Sequence, residues 1–111
     1  MKFIASEGKR DCLILSVGEF DNRQKNRDNF EIDAKKLFET FTNLSFNCRV
    51  RSGYITLVDA QKEIREILYD QNGKDMICLC LLSHGIHTCY GQQIEFSDEK
   101  QVTLEKLAQV I

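Results

Sequence analysis

The chain alternates dense apolar runs with polar stretches and with segments whose apolar residues recur at helical spacing. Residues 11–17 (DCLILSV) form an apolar run that stops at Gly18, and they predict a buried strand. Residues 18–29 (GEFDNRQKNRDN) are polar and rich in Asn and Asp. They predict a loop, long enough to mark a functional segment. In residues 32–44, Ala34, Leu37, Phe38, Phe41 and Leu44 line one face of a predicted helix. Glu31 and Asp33 sit where the helix dipole favours negative charge. Residues 45–51 alternate Phe46, Cys48 and Val50 with Asn47, Arg49 and Arg51, which predicts a half-buried strand closed by Ser52 and Gly53. Thr56 and Asp59 have the spacing of a helix-capping pair. The helix after them, over 57–69, turns Ala60, Ile64, Ile67 and Leu68 inward, with Asn72-Gly73 as its stop. Residues 75–82 (DMICLCLL) are apolar on both faces, the pattern of a strand at the centre of a parallel sheet. Residues 88–97 predict a hairpin around Gly91. Residues 102–111 begin a helix with Leu104, Leu107, Ala108 and Ile111 on one side.

Strand, helix, strand, helix, strand and helix start make an α/β order. It implies a mostly parallel sheet, right-handed crossovers and helices on both faces. The 111 residues allow one domain: an N-terminal segment over about 1–10 and an α/β body over 11–111. No repeat or low-complexity segment is present. A fold of this type is expected to continue into another strand after the last helix, so the architecture is expected to be incomplete on its C-terminal side.

Composition narrows the partners. Hydrophobic residues make up 42% and charged residues 29%, the balance of a globular protein. A net charge of −2 argues against nucleic acid or an anionic membrane as the main partner. No apolar stretch approaches the roughly 18 residues of a membrane span. MKFIASEGKRDC has no signal-peptide core, so a cytoplasmic location is expected. The five cysteines are odd in number and have no CxxC spacing, which fits free thiols in a reducing compartment. Cys78, Cys80, His84, His87 and Cys89 come nearest to a zinc pattern. A C-x-C pair on a continuous strand splays poorly toward one ion, so no metal is expected. No cofactor is expected either. The chain contains no proline, and its turns rely on Gly, Asn and Asp.

In open parallel sheets, ligands sit beyond the carboxyl ends of the strands. Ser83-His84-Gly85 lies at that end of the third predicted strand, and the 18–29 loop lies at the same end of the first. Arg23, Lys25, Arg27 and His84 are therefore expected to face one cleft. His84 has the chemistry of a general acid or base near neutral pH. Gly85 lets a backbone N–H approach a substrate carbonyl closely. Arg27 suits an acidic group held through two parallel hydrogen bonds. Spacing alone also allows plainer roles: a solvated strand-end histidine, a turn glycine and a solvated arginine. His87 is given no role. Cys78 and Cys80 read as core filler.

Several segments together resemble one family. Glu31-Ile32-Asp33-Ala34, Leu37-Phe38-Glu39-Thr40-Phe41 and Leu44-Ser45-Phe46 are similar to the start of the caspase catalytic domain. MICLCLLSHG is similar to the family strand that ends in L-S-H-G. The match runs over nearly the whole chain, and the combination is far more specific than any single motif. The resemblance implies a three-layer caspase-like fold and the large-subunit portion of a cysteine endopeptidase that cuts after aspartate. It implies His84 as the catalytic histidine, Gly85 as an oxyanion-hole donor and Arg27 as the residue that binds the P1 aspartate carboxylate. The implied partners are a peptide or protein substrate with P1 Asp, and a caspase small subunit or another caspase chain. Apoptosis is the pathway the family suggests first.

The sequence departs from the family at four places. The family nucleophile lies in Q-A-C-[RQG]-G about 50 residues after the histidine, and residues 1–111 contain no such motif. Asn29 stands where glycine is usual. Ile86 follows Ser-His-Gly in place of an acidic residue. Residues 1–10 do not resemble a death-fold prodomain, so none is expected. Three expectations follow. The chain supplies the histidine and the P1-binding arginine to a catalytic unit but is inactive alone. Alternatively, it is a non-catalytic, truncated homologue that binds or regulates active caspases. In the third case it folds poorly alone, because an unfinished helix exposes Leu104, Leu107 and Ile111.

Overall fold

The computed structural model describes residues 9–69, 74–88 and 91–109. Strand β1 (Lys9–Glu19) leads through a short 3-10 turn (Arg23–Lys25) into helix α1 (Phe30–Asn43). Strand β2 (Asn47–Tyr54), helix α2 (Leu57–Tyr69) and strand β3 (Lys74–Leu82) follow. Strands β4 (Gly85–Thr88), β5 (Gly91–Glu95) and β6 (Gln101–Thr103) then precede helix α3 (Leu104–Ala108). The first three strands form a parallel sheet in the order β2-β1-β3, and the last three form an antiparallel sheet in sequence order.

Alternation along β1 divides the core in two. Leu13, Leu15 and Val17 point to one face, where they pack with Ala60, Ile64 and Ile67 of α2, Leu107 of α3 and Phe96. Cys12 and Ile14 point to the other face, against Ala34, Leu37 and Phe41 of α1. All of Cys12 to Leu15 and Val17 are fully buried, and each large aliphatic side chain there contributes roughly 1.5–3 kcal/mol. Ser16 is the polar exception in the buried run from Cys12 to Val17, and its hydroxyl donates to the Phe30 carbonyl at 2.9 Å. At Gly18 a Cβ would fall 2.0 Å from the Phe30 ring, so only glycine lets α1 start this close to β1.

Helix α2 begins as its sequence predicts. The Asp59 N–H donates to Thr56 Oγ1 at 3.1 Å, and the Thr56 N–H donates to Asp59 Oδ2 at 3.2 Å. This reciprocal pair satisfies two otherwise unpaired amides, and it holds the Asp59 carboxyl below the usual carboxylate range. Asn29, placed where caspases usually carry glycine, has φ 63°. That left-handed backbone explains why glycine is usual there and why asparagine can replace it.

Several predicted details differ. Among the described residues the strand with a neighbour on both edges is β1, which lies between β2 and β3, and Met76 and Leu79 of β3 are 54% and 40% exposed. β2 runs past Ser52-Gly53 to Tyr54, because Gly53 at φ +105° continues the pairing with β1. As an outer strand, β2 leaves Val50 exposed. The 18–29 stretch contains the end of β1 and a 3-10 turn capped by the Asn22 side chain, which accepts from the Gln24 N–H. Phe38 and Leu44 of the α1 region are exposed, as is Leu104, while Leu107 is buried. The hairpin around Gly91 is present as β4 and β5, and β6 was not predicted. Asn72, Gly73, Cys89, Ile111 and the 1–8 segment lie outside the described residues.

Candidate functional site

β1 and β3 run parallel, so their carboxyl ends deliver Gly18-Glu19-Phe20 and Ser83-His84-Gly85 to the same edge of the sheet. His84 is half-buried there, 5.0 Å centroid to centroid from the buried Phe20 ring. Its Nε2 lies 2.5 Å from the Lys25 backbone carbonyl. A carbonyl only accepts, so Nε2 must carry the proton. Nδ1 is then the nitrogen that can take up a proton in the uncharged ring and give it back from the charged one. The main-chain partner thus fixes both the tautomer and the ring plane.

The residues behind His84 form a polar frame. The Glu95 N–H donates to the His84 carbonyl at 3.1 Å, and the Ser83 hydroxyl donates to the Glu95 carbonyl. The Glu95 side chain is 2% exposed. Its Oε2 accepts from Lys25 Nζ at 2.9 Å and from Gln101 Nε2 at 3.3 Å. Lys25 Nζ also reaches Glu99 at 3.2 Å. Hydrogen bonds to Glu95 and then Glu99 hold the Lys25 ammonium above its ordinary pKa.

Arg27 sits on the same connection as Lys25, at the carboxyl end of β1. Its N–H donates to the Gly18 carbonyl at 2.8 Å, and Nη1 donates to the Val17 carbonyl at 2.8 Å. Nη2 lies 3.7 Å from Asp33 at the start of α1. The side chain is 16% exposed, so the guanidinium is anchored on one edge and keeps further N–H donors. Gly85 opens β4 opposite Ile94 and is exposed. A Cβ there would lie 2.5 Å from Gln92 Nε2, which closes the space to a side chain unless Gln92 moves.

Of the four residues expected to share a cleft, contacts join Lys25 to His84 directly, and Arg27 follows Lys25 in the same loop. Arg23 is exposed on the 3-10 turn. His87 is exposed on β4, opposite Gln92. Two partners of His84 have no signal in the sequence: the main chain of Lys25, whose side chain alone is expected in the cleft, and Glu95. The Lys25 carbonyl belongs to the main chain and leaves no residue-type signal. Glu95, between Ile94 and Phe96, reads as the outward residue of an alternating strand.

Among the described residues, one thiol group has metal-ligand spacing: the sulfurs of Cys12, Cys78 and Cys80 lie within 4.8 Å of one another. Cys12 comes from the neighbouring strand, directly opposite Cys78. Burial, followed by the neighbouring thiols, pushes the Cys12 thiol well above its ordinary value, and burial also raises Cys80. The three side chains pack with the residues beneath α1 as small, largely apolar groups.

Comparison with known proteins follows this geometry. The caspase domain family model matches residues 9–111. The crystal structure of the Drosophila initiator caspase Dronc superposes with a TM-score of 0.82 at 19% sequence identity. That match covers 90% of this chain and 40% of the Dronc chain, so this chain spans less than half of Dronc. No curated protein matches the sequence. Among the described residues no helix is long and apolar enough to cross a membrane. The parallel sheet with helices on both faces and the family match over residues 9–111 lead to one assignment: the chain belongs to the caspase domain family.

Proposed function

We propose that this chain is the large-subunit portion of a caspase-type cysteine endopeptidase and supplies the histidine half of its site. His84 passes a proton to the leaving amine. The Gly85 N–H donates to the developing oxyanion, and Arg27 binds the carboxylate of a P1 aspartate. The hydrogen bond from His84 Nε2 to the Lys25 carbonyl is the observation that carries this reading. It holds the imidazole in one tautomer at the end of β3, where a proton shuttle needs a fixed ring.

The chemistry requires a thiolate from a second segment. That sulfur attacks the peptide carbonyl and forms a tetrahedral oxyanion. The C–N bond then breaks as imidazolium donates its proton to the amine, and water hydrolyses the resulting thioester. None of the five cysteines in residues 1–111 lies in the family's nucleophile motif, so the chain alone is expected to be inactive. Arg27 suits the P1 role because its planar fork matches a carboxylate and it keeps its charge at every working pH.

The test combines the 111-residue chain with a caspase chain that carries a Q-A-C-x-G segment. A fluorogenic peptide with P1 Asp should be cut by the mixture and not by the 111-residue chain alone. Arg27→Ala should lower the rate by roughly ten- to a hundredfold, the worth of a charge-assisted hydrogen-bond pair. Equal cutting after Asp and Ala, or an unchanged rate in Arg27→Ala, would remove the assignment.

A second reading is favoured by the surface around β3. Its outer edge carries no strand among the described residues. Beside it lies an open apolar hollow of 610 Å³, lined by Ile64, Ile67, Ile77, Leu79 and Leu104 among others. Such a face suits another caspase chain, whether the association activates or inhibits it. Co-purification with a full-length caspase tests this reading. Failure to associate at micromolar concentration would count against it.

A further inference from the structure

The polar frame behind His84 closes into a ring. It starts at the imidazole, whose Nε2 donates to the Lys25 carbonyl. It continues through the Lys25 side chain to the Glu95 carboxylate at 2.9 Å. It returns through the Glu95 N–H to the His84 carbonyl at 3.1 Å. The 3-10 turn thus meets two segments 59 and 70 residues later in sequence at one histidine. Glu95 is the member with no room to adjust. It lies in β5 with its side chain 2% exposed, so its carboxylate is a fixed point rather than a mobile surface charge. Taking that charge out of water is costly unless it is paired, and Lys25 and Gln101 supply the donors.

The 3-10 turn that carries Lys25 has no buried residue of its own. Its position is set by hydrogen bonds back to β1 and Phe20, through Asn26 and Arg27, and by polar ties to the β5–β6 region. Lys25 bonds Glu95 and Glu99, the Asn22 N–H donates to Glu99 at 3.1 Å, and the Asp21 N–H donates to the Ser97 carbonyl at 2.9 Å. Of these ties, only Lys25–Glu95 joins the residue whose carbonyl holds His84 to a buried carboxylate.

We propose that Lys25 and Glu95 are a positioning pair for His84. The Glu95 carboxylate fixes Lys25, the Lys25 carbonyl fixes Nε2–H, and Nδ1 is left unprotonated in the uncharged ring, free to accept a proton in the site. The functional meaning of this pair rests on the caspase-type reading of His84. The positioning itself does not.

The test is long-range ¹H–¹⁵N NMR of the histidines in the full 111-residue chain. Exposed His87 is the internal reference. The wild-type chain should show His84 with the proton on Nε2. Glu95→Gln should give a several-fold rise in the Nδ1–H tautomer and loss of the protected Nε2–H signal. Lys25→Arg, which keeps the ion pair, should behave as wild type. So should Glu99→Gln, which removes only the outer contact. The double variant Lys25→Met/Glu95→Gln leaves no unpaired buried charge, and it should show the same tautomer shift if the single variant fails to fold. Wild-type His84 signals in both Glu95→Gln and the double variant would overturn the pair. If the tautomer shifts as described while the mixed-chain hydrolysis fails, the positioning pair stands and the endopeptidase reading falls.

Discussion

β1 and β3 look alike as sequences and differ as strands. DCLILSV and MICLCLL are both dense apolar runs. In β1 every side chain from Cys12 to Val17 is fully buried. In β3, Met76 and Leu79 are more than a third exposed, and Cys78 and Cys80 are only half-buried. The difference comes from neighbours rather than residue type. β1 has a strand on each edge and a helix layer on each face, whereas β3 has β1 on one edge alone among the described residues. An apolar run therefore reports that a strand belongs to a covered sheet, not which place it takes there.

That contrast is open to direct attack. The largest expected effect is Leu15→Ala in β1. The cavity and lost transfer energy should cost about 2–5 kcal/mol, read as a drop in the urea midpoint. A cost near that of a surface change would mean β1 is not the core strand.

Next is the alkaline limb of stability. The folded state holds the Cys12 thiol far above its ordinary value of 9.0. Below about pH 9 both states keep the proton, and the stabilising contribution is complete. As pH rises past that point only the unfolded chain ionises, so stability should fall by about 1.4 kcal/mol per pH unit from this group. Cys12→Ala should be less stable at neutral pH but should have a shallower alkaline slope in thermal melts between pH 8 and pH 10. An unchanged slope would place the thiol in water.

Removing the α2 cap with Thr56→Ala should cost about 1 kcal/mol, measured the same way. The smallest effect belongs to β3. Leu79→Ser at the exposed edge should cost less than about 1 kcal/mol, far below the β1 substitution. If it matches Leu15→Ala, the two strands are equivalent and the contrast fails.

Periodicity and capping chemistry made most of the elements legible. The spacing of Ala60, Ile64 and Ile67, and the Thr56–Asp59 pair, place α2 without any coordinates. His84, Gly85 and Arg27 could be singled out because the ends of parallel strands are where ligands gather. Their family roles came from the resemblance. Other features were hidden for physical reasons. The Lys25 carbonyl is a main-chain atom common to every residue type. The Glu95 carboxylate is paired by Gln101, six residues on, and by Lys25, 70 residues earlier, and local alternation cannot encode that distant cation. Leu104 and Phe38 fit helical spacing yet face outward, since an apolar stripe is wider than the surface available to cover it.

We propose that His84, rather than merely a histidine nearby, moves the proton. The chain offers its own control, because it has two histidines, and His87 is exposed on β4 three residues away. The decisive measurement compares turnover of a P1-Asp peptide by the mixed-chain assembly built with wild type, His84→Ala and His87→Ala. His84→Ala should lose roughly a hundred- to ten-thousandfold, while His87→Ala should keep the wild-type rate. Equal rates for wild type and His84→Ala would contradict it.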